Sequence, residues 1–154
     1  MQVMKTTVQT TCSFEAAHRL YNVDTYSKEC RANIHGHSYK CNIIVSRLAG
    51  LNNADMVIDF KLLKKVVKEV IEEPFDHSCI LNVEDPLAEP ISENCERVHI
   101  VDDNPTAEWM ARIFYTSLNS ALQNVDPKLM VESVSVQETE NNIATYSRTD
   151  MSIF

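Results

Sequence analysis

Residues 35–48, HGHSYKCNIIVSRL, decide the fold, because apolar and polar side chains alternate along most of the stretch. Side chains two residues apart on a β-strand point to the same face of the sheet. One face of this stretch carries His35, His37, Tyr39, Cys41, Ile43 and Val45. The stretch therefore predicts a half-buried strand that begins with two histidines on its apolar side.

A second alternating stretch lies upstream of the first. Its apolar face carries Val8, Cys12, Phe14, Ala16 and His18, and its polar face carries Gln9, Thr11, Ser13 and Glu15. The pattern predicts another half-buried strand whose buried side ends at His18. A polar loop over residues 21–32 is expected to connect the two strands.

The period of the pattern becomes helical in MVIDFKLLKKVVKEVIEEP, residues 56–74. Asp59 is the predicted N-cap of this helix, and Pro74 is its predicted end. Residues 75–103 are expected to be mainly irregular, with one extended piece around His99.

A second helix is predicted from NPTAE, residues 104–108, with Asn104 or Thr106 as its cap. Its inner stripe is Met110, Ile113, Phe114, Ser117, Leu118, Ala121 and Leu122. LMVESVSVQET (residues 129–139) and IATYS (143–147) predict two further strands joined by a turn. The chain thus reads as one domain over residues 1–154, in the order strand, strand, helix, helix, strand, strand.

Charge and cysteine content limit the possible partners. The chain has 14 Lys and Arg against 22 Asp and Glu, a net charge of −8, which argues against nucleic acid as a partner. A local basic pocket for a phosphorylated small molecule remains possible. No apolar run is long enough to span a membrane, and the N-terminus lacks the apolar core of a signal peptide. Five cysteines without a CxxC pair indicate reduced thiols and a cytoplasmic location.

The histidines suggest a metal site. His35 and His37 share one side of their strand, and His18 ends the other strand on its inward face, so the three rings can meet at one ion. Three protein nitrogens leave one tetrahedral position open, as in catalytic zinc sites. The alternative is that the HxH pair is an exposed polar pair without a ligand.

Three other positions carry possible chemistry. Cys30 lies close enough in sequence to His35 for a cation to activate its thiolate, although an inert loop cysteine is the alternative. The adjacent Asp76 and His77 can form a proton relay, although such pairs are common in loops. Glu138 shares a face with two buried valines, and its two oxygens match the adjacent N–H donors of a pterin or guanine ring. An exposed strand-end glutamate is the alternative.

Six motifs occur in the order seen in the 6-pyruvoyl-tetrahydropterin synthase / 6-carboxytetrahydropterin synthase family, which the chain resembles. They are SFEAAHRL (13–20), C…HGHSY (30–39), VIDF (57–60), DH…LN (76–82), NPTAE (104–108) and QET (137–139). The resemblance implies an α+β tunnelling fold (T-fold), ββααββ, with a four-stranded antiparallel sheet and two helices on one face. It also implies a homo-oligomer, a trimer or hexamer, whose sheets join into a barrel with active sites at subunit interfaces.

The resemblance also implies a role for each matching residue. His18, His35 and His37 match the Zn²⁺ ligands, and Cys30 with Asp76 and His77 matches the catalytic residues. Glu138 matches the pterin anchor, and Thr106 with Ala107 matches the stretch that lines the pterin ring. The implied substrate is the small molecule 7,8-dihydroneopterin triphosphate.

Two products are compatible with the motifs. VIDF and NPTAE favour the lyase that forms 6-carboxy-5,6,7,8-tetrahydropterin with loss of triphosphate and acetaldehyde, in the 7-deazaguanine and queuosine pathway. ETENNI followed by a tyrosine favours the 6-pyruvoyl-tetrahydropterin synthase of tetrahydrobiopterin synthesis, and the four residues 31–34 match neither branch's usual spacing. The carboxy product is the preferred prediction. Two further readings stay open, namely a non-catalytic module that binds a pterin or purine and a structural zinc protein.

Overall fold

The structure, a computed structural model, describes residues 5–149. The strands are β1 (Thr7–His18), β2 (His35–Arg47), β3 (Ser78–Asn82), β4 (Val98–Val101), β5 (Leu129–Thr139) and β6 (Asn142–Ser147). The helices are α1 (Lys28–Ala32), α2 (Phe60–Val67), α3 (Glu73–Phe75), α4 (Ala88–Asn94) and α5 (Ala107–Val125).

The strands form one mixed sheet in the order β4-β3-β1-β2-β5-β6. The four strands β1, β2, β5 and β6 pair antiparallel, and α2 and α5 pack on one face, so the predicted α+β class is confirmed. The predicted count of four strands is wrong, because β3 and β4 extend the sheet beyond β1 in parallel.

Residues 75–103 account for the extra strands. This segment contains β3, α4 and β4, so the prediction that it is mainly irregular is wrong, although the extended piece at His99 is confirmed as β4. Strands of four or five residues give too few alternations to be separated from a loop by their pattern. The loop at 21–32 likewise contains the short helix α1.

Cross-strand register brings the apolar sides of β1 and β2 into one core. Phe14 lies opposite Tyr39, and their rings stack with centroids 5.0 Å apart. Ala16 lies opposite His37, and His18 lies opposite His35. The alternate side chains of β1, including Thr11, Ser13 and Glu15, are exposed on the face without helices. The predicted alternation is therefore confirmed, and the apolar core ends at the three histidines.

Both helix starts follow from local chemistry. The Asp59 carboxylate accepts the backbone N–H groups of Lys61 and Leu62, which confirms the predicted cap. Thr106, rather than Asn104, caps α5 by accepting the N–H of Trp109 at 3.1 Å. Met110, Phe114, Leu118 and Leu122 of the predicted inner stripe are buried, whereas Ser117 is exposed.

The end of the first long helix differs from the prediction. The chain continues from α2 through one wider turn of the π type, Lys68–Glu72, into α3, which contains Pro74. The Asp76 N–H donates to the Glu72 carbonyl at 2.9 Å and Asp76 itself is extended, so the helix ends at Phe75, one residue after the predicted end. Within residues 5–149, no helix combines the length and the apolarity that crossing a bilayer requires.

Candidate metal centre and adjoining cleft

Strand pairing assembles the histidine cluster, which consists of His18, His35 and His37. One potential ligand atom from each residue lies within 4.8 Å of the other two, and Nε2 of His18 is 3.1 Å from Nε2 of His35. Gly36 permits this approach, since a Cβ there would lie 3.3 Å from the Ala16 carbonyl oxygen. The predicted convergence of the three rings is therefore present in the described chain.

Backbone carbonyls orient two of the rings. Nδ1 of His18 lies 2.7 Å from the Pro105 carbonyl oxygen, and Nδ1 of His35 lies 3.0 Å from that of Asn33. A carbonyl can only accept, so Nδ1 carries the proton in both rings and Nε2 keeps its lone pair. Two lone pairs then face each other across 3.1 Å, an arrangement that a cation would stabilise.

Burial favours the neutral form of two of the cluster's histidines, and one buried ring nitrogen has no partner among the described residues. Burial lowers the pKa of His18 to about 4, and burial lowers that of His37 too, although the nearby Glu138 carboxylate opposes it. Neutral imidazole is the form that binds metal. Nε2 of His37 is buried and has no hydrogen-bond partner among the residues that the structure describes. An unpaired buried nitrogen is costly, so the three residues fit a bound metal ion well.

Glu138 lies between the histidine cluster and a cleft. Its two carboxylate oxygens are 3.9 Å from Nε2 of His18 and 3.8 Å from Nε2 of His37, beyond hydrogen-bond distance. The carboxylate also lines a cleft of about 550 Å³ together with Leu20, Thr106, Ala107, Glu108 and residues 141–144. The structure thus brings together the three residues predicted to bind substrate, and it places one of them beside the cluster.

Tyr39 is a neighbour of the cluster that the sequence pattern assigned only to the core. Its hydroxyl lies 3.5 Å from both ring nitrogens of His18, and it is fully buried. Burial, with the charge of Glu138, raises the pKa of this hydroxyl, so it stays protonated. The sequence could have indicated this contact, because Tyr39 lies two residues after His37 on the same strand face.

Cys30 lies in α1, which is fastened to the end of β1. The Cys30 carbonyl accepts the N–H of Leu20 at 3.1 Å, two residues beyond His18. The Ser27 hydroxyl caps α1 and donates to Cys30 Sγ at 3.2 Å. No described hydrogen bond joins this thiol to the histidine cluster within residues 5–149.

The relay pair, Asp76 and His77, is joined by a hydrogen bond in the turn before β3. Asp76 Oδ2 lies 2.8 Å from His77 Nδ1, and Asp76 Oδ1 accepts the N–H of Glu15 at 2.9 Å. The Glu15 N–H first, and then His77, hold the pKa of Asp76 below its usual value. His77 lines a second cleft of about 330 Å³ with Glu15, Gly36, His37 and Ser38. Among the described residues, no hydrogen bond connects the relay pair to Cys30.

The chain matches one protein family and resembles several known proteins. The family model described as 6-pyruvoyl tetrahydropterin synthase matches residues 7–149. A protein of Aquifex aeolicus named 6-carboxy-5,6,7,8-tetrahydropterin synthase is 32% identical, covering 93% of this chain and 98% of its own. The protein of the same name from Haemophilus influenzae is 33% identical, covering 87% and 93% respectively.

Solved structures support the fold. An uncharacterized protein from Wolinella succinogenes has a TM-score of 0.80 at 22% identity, covering 96% of this chain and 100% of that one. The 6-pyruvoyl tetrahydropterin synthase of Caenorhabditis elegans has a TM-score of 0.66 at 24% identity, covering 97% and 99% respectively. These likenesses confirm the T-fold prediction.

Proposed function

We infer the function from one premise, which is that the chain belongs to the 6-pyruvoyl tetrahydropterin synthase family. Its relatives are named as tetrahydropterin synthases, which are lyases, so the predicted class of enzyme is confirmed. We propose that the chain converts 7,8-dihydroneopterin triphosphate to 6-carboxy-5,6,7,8-tetrahydropterin, releasing triphosphate and acetaldehyde.

We propose that His18, His35 and His37 hold a Zn²⁺ ion through nitrogen. The observation that carries this proposal is the set of three converging imidazoles, one of which has a buried Nε2 without a partner among the described residues. Zinc bound by three protein nitrogens supplies a Lewis acid with a coordination position open to substrate. Glu138 lies near two of these histidines but is not part of the group of mutually close ligand atoms, which consists of the three histidines.

We propose that the cleft beside the cluster takes the pterin ring. Its carboxylate, Glu138, offers two acceptors for the adjacent N–H donors of the ring, and Thr106 with Ala107 offers backbone groups at the start of α5. The position of Glu138 between cleft and cluster lets the substrate side chain reach the metal group while the ring occupies the cleft.

We propose that Cys30 removes a carbon-bound proton and that the relay pair handles the protons of the side-chain hydroxyls. The relay pair is exposed, and no hydrogen bond connects it to Cys30 among the described residues. Both observations support a site completed by a second copy of this chain. The protein would then be a homo-oligomer, a trimer or hexamer. The five free thiols support a cytoplasmic location.

The names of the relatives at 32–34% identity favour the carboxy product. The ETENNI stretch favours the pyruvoyl product as the second candidate. Atom balance separates the two reactions, because forming the carboxy product and acetaldehyde consumes one water, whereas forming the pyruvoyl product and triphosphate consumes none.

Product analysis by mass spectrometry tests the proposal. The zinc-loaded protein is incubated with 7,8-dihydroneopterin triphosphate, and we expect equal amounts of triphosphate, acetaldehyde and the carboxy product. Triphosphate without acetaldehyde, with the three-carbon side chain retained, would select the pyruvoyl reaction. Tight binding with no triphosphate release would instead identify a binding module. The same assay on the Cys30→Ala variant tests the role of Cys30. Cys95→Ala is its matched control, since Cys95 is an exposed thiol in the 83–103 segment.

A further inference from the structure

Asn82 ends the DH…LN motif, and neither the cleft nor the histidine cluster gives it a role. It is the last residue of β3. Its side-chain amide nitrogen donates to the carbonyls of Asp102 and Asp103, both at 3.1 Å, and its amide oxygen accepts the N–H of Glu84 at 2.8 Å. Asn82 therefore clamps the end of the 83–103 segment to the end of β3.

The clamped residues lead directly to the carbonyl that orients His18. Asp103 is two residues before Pro105, whose carbonyl oxygen lies 2.7 Å from His18 Nδ1. The next residue, Thr106, caps α5 and lines the cleft. The clamp thus fixes the start of the loop that carries the Pro105 carbonyl and Thr106.

The turn that begins at Asn82 is tied to β1, the strand that carries His18. The Asp85 N–H donates to the Asn82 carbonyl at 3.0 Å. The Asp85 carboxylate binds Arg19, the residue after His18, through two contacts of 2.5 and 2.6 Å, with Asp85 fully buried. Asn82 therefore holds the loop at residues 102–105 against a turn that the Asp85–Arg19 contact fixes to the end of β1.

We propose that Asn82 is a positioning residue for the metal site, acting on His18 through the Pro105 carbonyl. The clamp keeps that carbonyl at Nδ1, which keeps the proton on Nδ1 and the lone pair on Nε2. Outer groups that orient a metal-ligating histidine typically change metal affinity by about 10–100-fold when removed. The proposal rests on the proposed function only in taking the histidine cluster as the metal site.

Asn82→Asp separates this role from the role of Asn82 in the turn. The variant keeps the oxygen that accepts from Glu84, but it loses both donors and brings a carboxylate oxygen towards two carbonyl oxygens. Asn94→Asp is the matched control. The Asn94 amide also donates to one backbone carbonyl, that of Pro90 at 2.7 Å, in the same segment, and the substitution changes the charge equally.

Two measurements test the proposal, neither of which needs substrate. The first is Zn²⁺ affinity by competition with a chelator, and the second is ¹⁵N NMR of the His18 tautomer in the metal-free protein. We expect Asn82→Asp to bind Zn²⁺ about 10–100-fold more weakly and to lose the Nδ1–H tautomer as the dominant form, while Asn94→Asp behaves as wild type.

Wild-type affinity and tautomer in a folded Asn82→Asp variant would overturn the proposal, as would an equal loss in Asn94→Asp. If Asn82→Asp does not fold, Asn82→Ala, which lacks the added charge, decides the question by the same two readouts. Failure of both to fold would also contradict the proposal, because Asn82 would then determine the fold itself. A wild-type protein that binds Zn²⁺ but releases no triphosphate would remove the proposed reaction and leave this inference standing.

Discussion

The histidine cluster lies on paired strands of the sheet, whereas the relay pair lies in the turn before β3. The His18 side chain is 3% exposed and faces its partners across paired strands, whereas the His77 side chain is 79% exposed and contacts its own neighbour, Asp76. Strand register therefore assembles the histidine cluster from residues of one chain. The relay pair is formed locally and is exposed, and its completion by a second copy is part of the proposed function.

The largest expected effect comes from removing a proton-transfer group, either His77 of the relay pair or Cys30 of α1. Cys30→Ala and His77→Ala should each lower kcat by about 10²–10⁴-fold, because each removes a proton-transfer group. Cys30→Ala should keep its zinc, which metal analysis checks. Full activity of Cys30→Ala would show that another group takes the carbon-bound proton.

Mixed oligomers sharpen the comparison. Refolding Cys30→Ala together with His77→Ala should restore measurable activity, because some interfaces then combine an intact Cys30 with an intact relay pair. A mixture of His77→Ala with Asp76→Ala should stay inactive, since both defects lie in the same half of the site. Equal recovery in both mixtures, or in neither, would contradict a site shared between copies.

Burial of His18 predicts a moderate pH effect on the metal-free protein. The pKa of His18 is lowered to about 4 from 6.5, so the unfolded chain binds the extra proton first as pH falls. The free energy of unfolding should therefore fall between about pH 6.5 and pH 4, by about 3 kcal/mol for this group. Urea unfolding at a series of pH values should show a flatter profile of unfolding free energy for His18→Gln than for the wild type.

The smallest expected effect concerns the helix that borders the cleft. Thr106→Ala removes the cap of α5 and should lower the free energy of unfolding by about 1 kcal/mol, while Thr106→Ser keeps a hydroxyl and most of the stability. Urea denaturation measures both variants. Equal stability of the two would mean that the Thr106 hydroxyl does not support the helix.

The sequence predicts the histidine cluster because period-two alternation determines which side chains share a face. The caps at Asp59 and Thr106 were visible for a similar local reason, since their side chains bond to backbone only two or three residues away. These features depend on short-range geometry that residue types report directly.

The parts that the sequence does not reveal depend on long-range backbone placement. Strand β3 follows from parallel pairing with β1, which joins Ala16 to Ser78 across a long separation in sequence. The carbonyls of Pro105 and Asn33 that orient the histidines carry no side-chain signature at all. Asn82 shows the same limit, because its partners are carbonyls about 20 residues away.

The single-domain reading over residues 1–154 stays a prediction.

Zinc K-edge X-ray absorption on the purified protein tests the central claim most directly. The account predicts about one zinc per chain with three imidazole nitrogens at about 2.0–2.1 Å and a remaining light-atom ligand. Absence of bound zinc, or a sulfur ligand at about 2.3 Å that would place Cys30 on the metal, would contradict it.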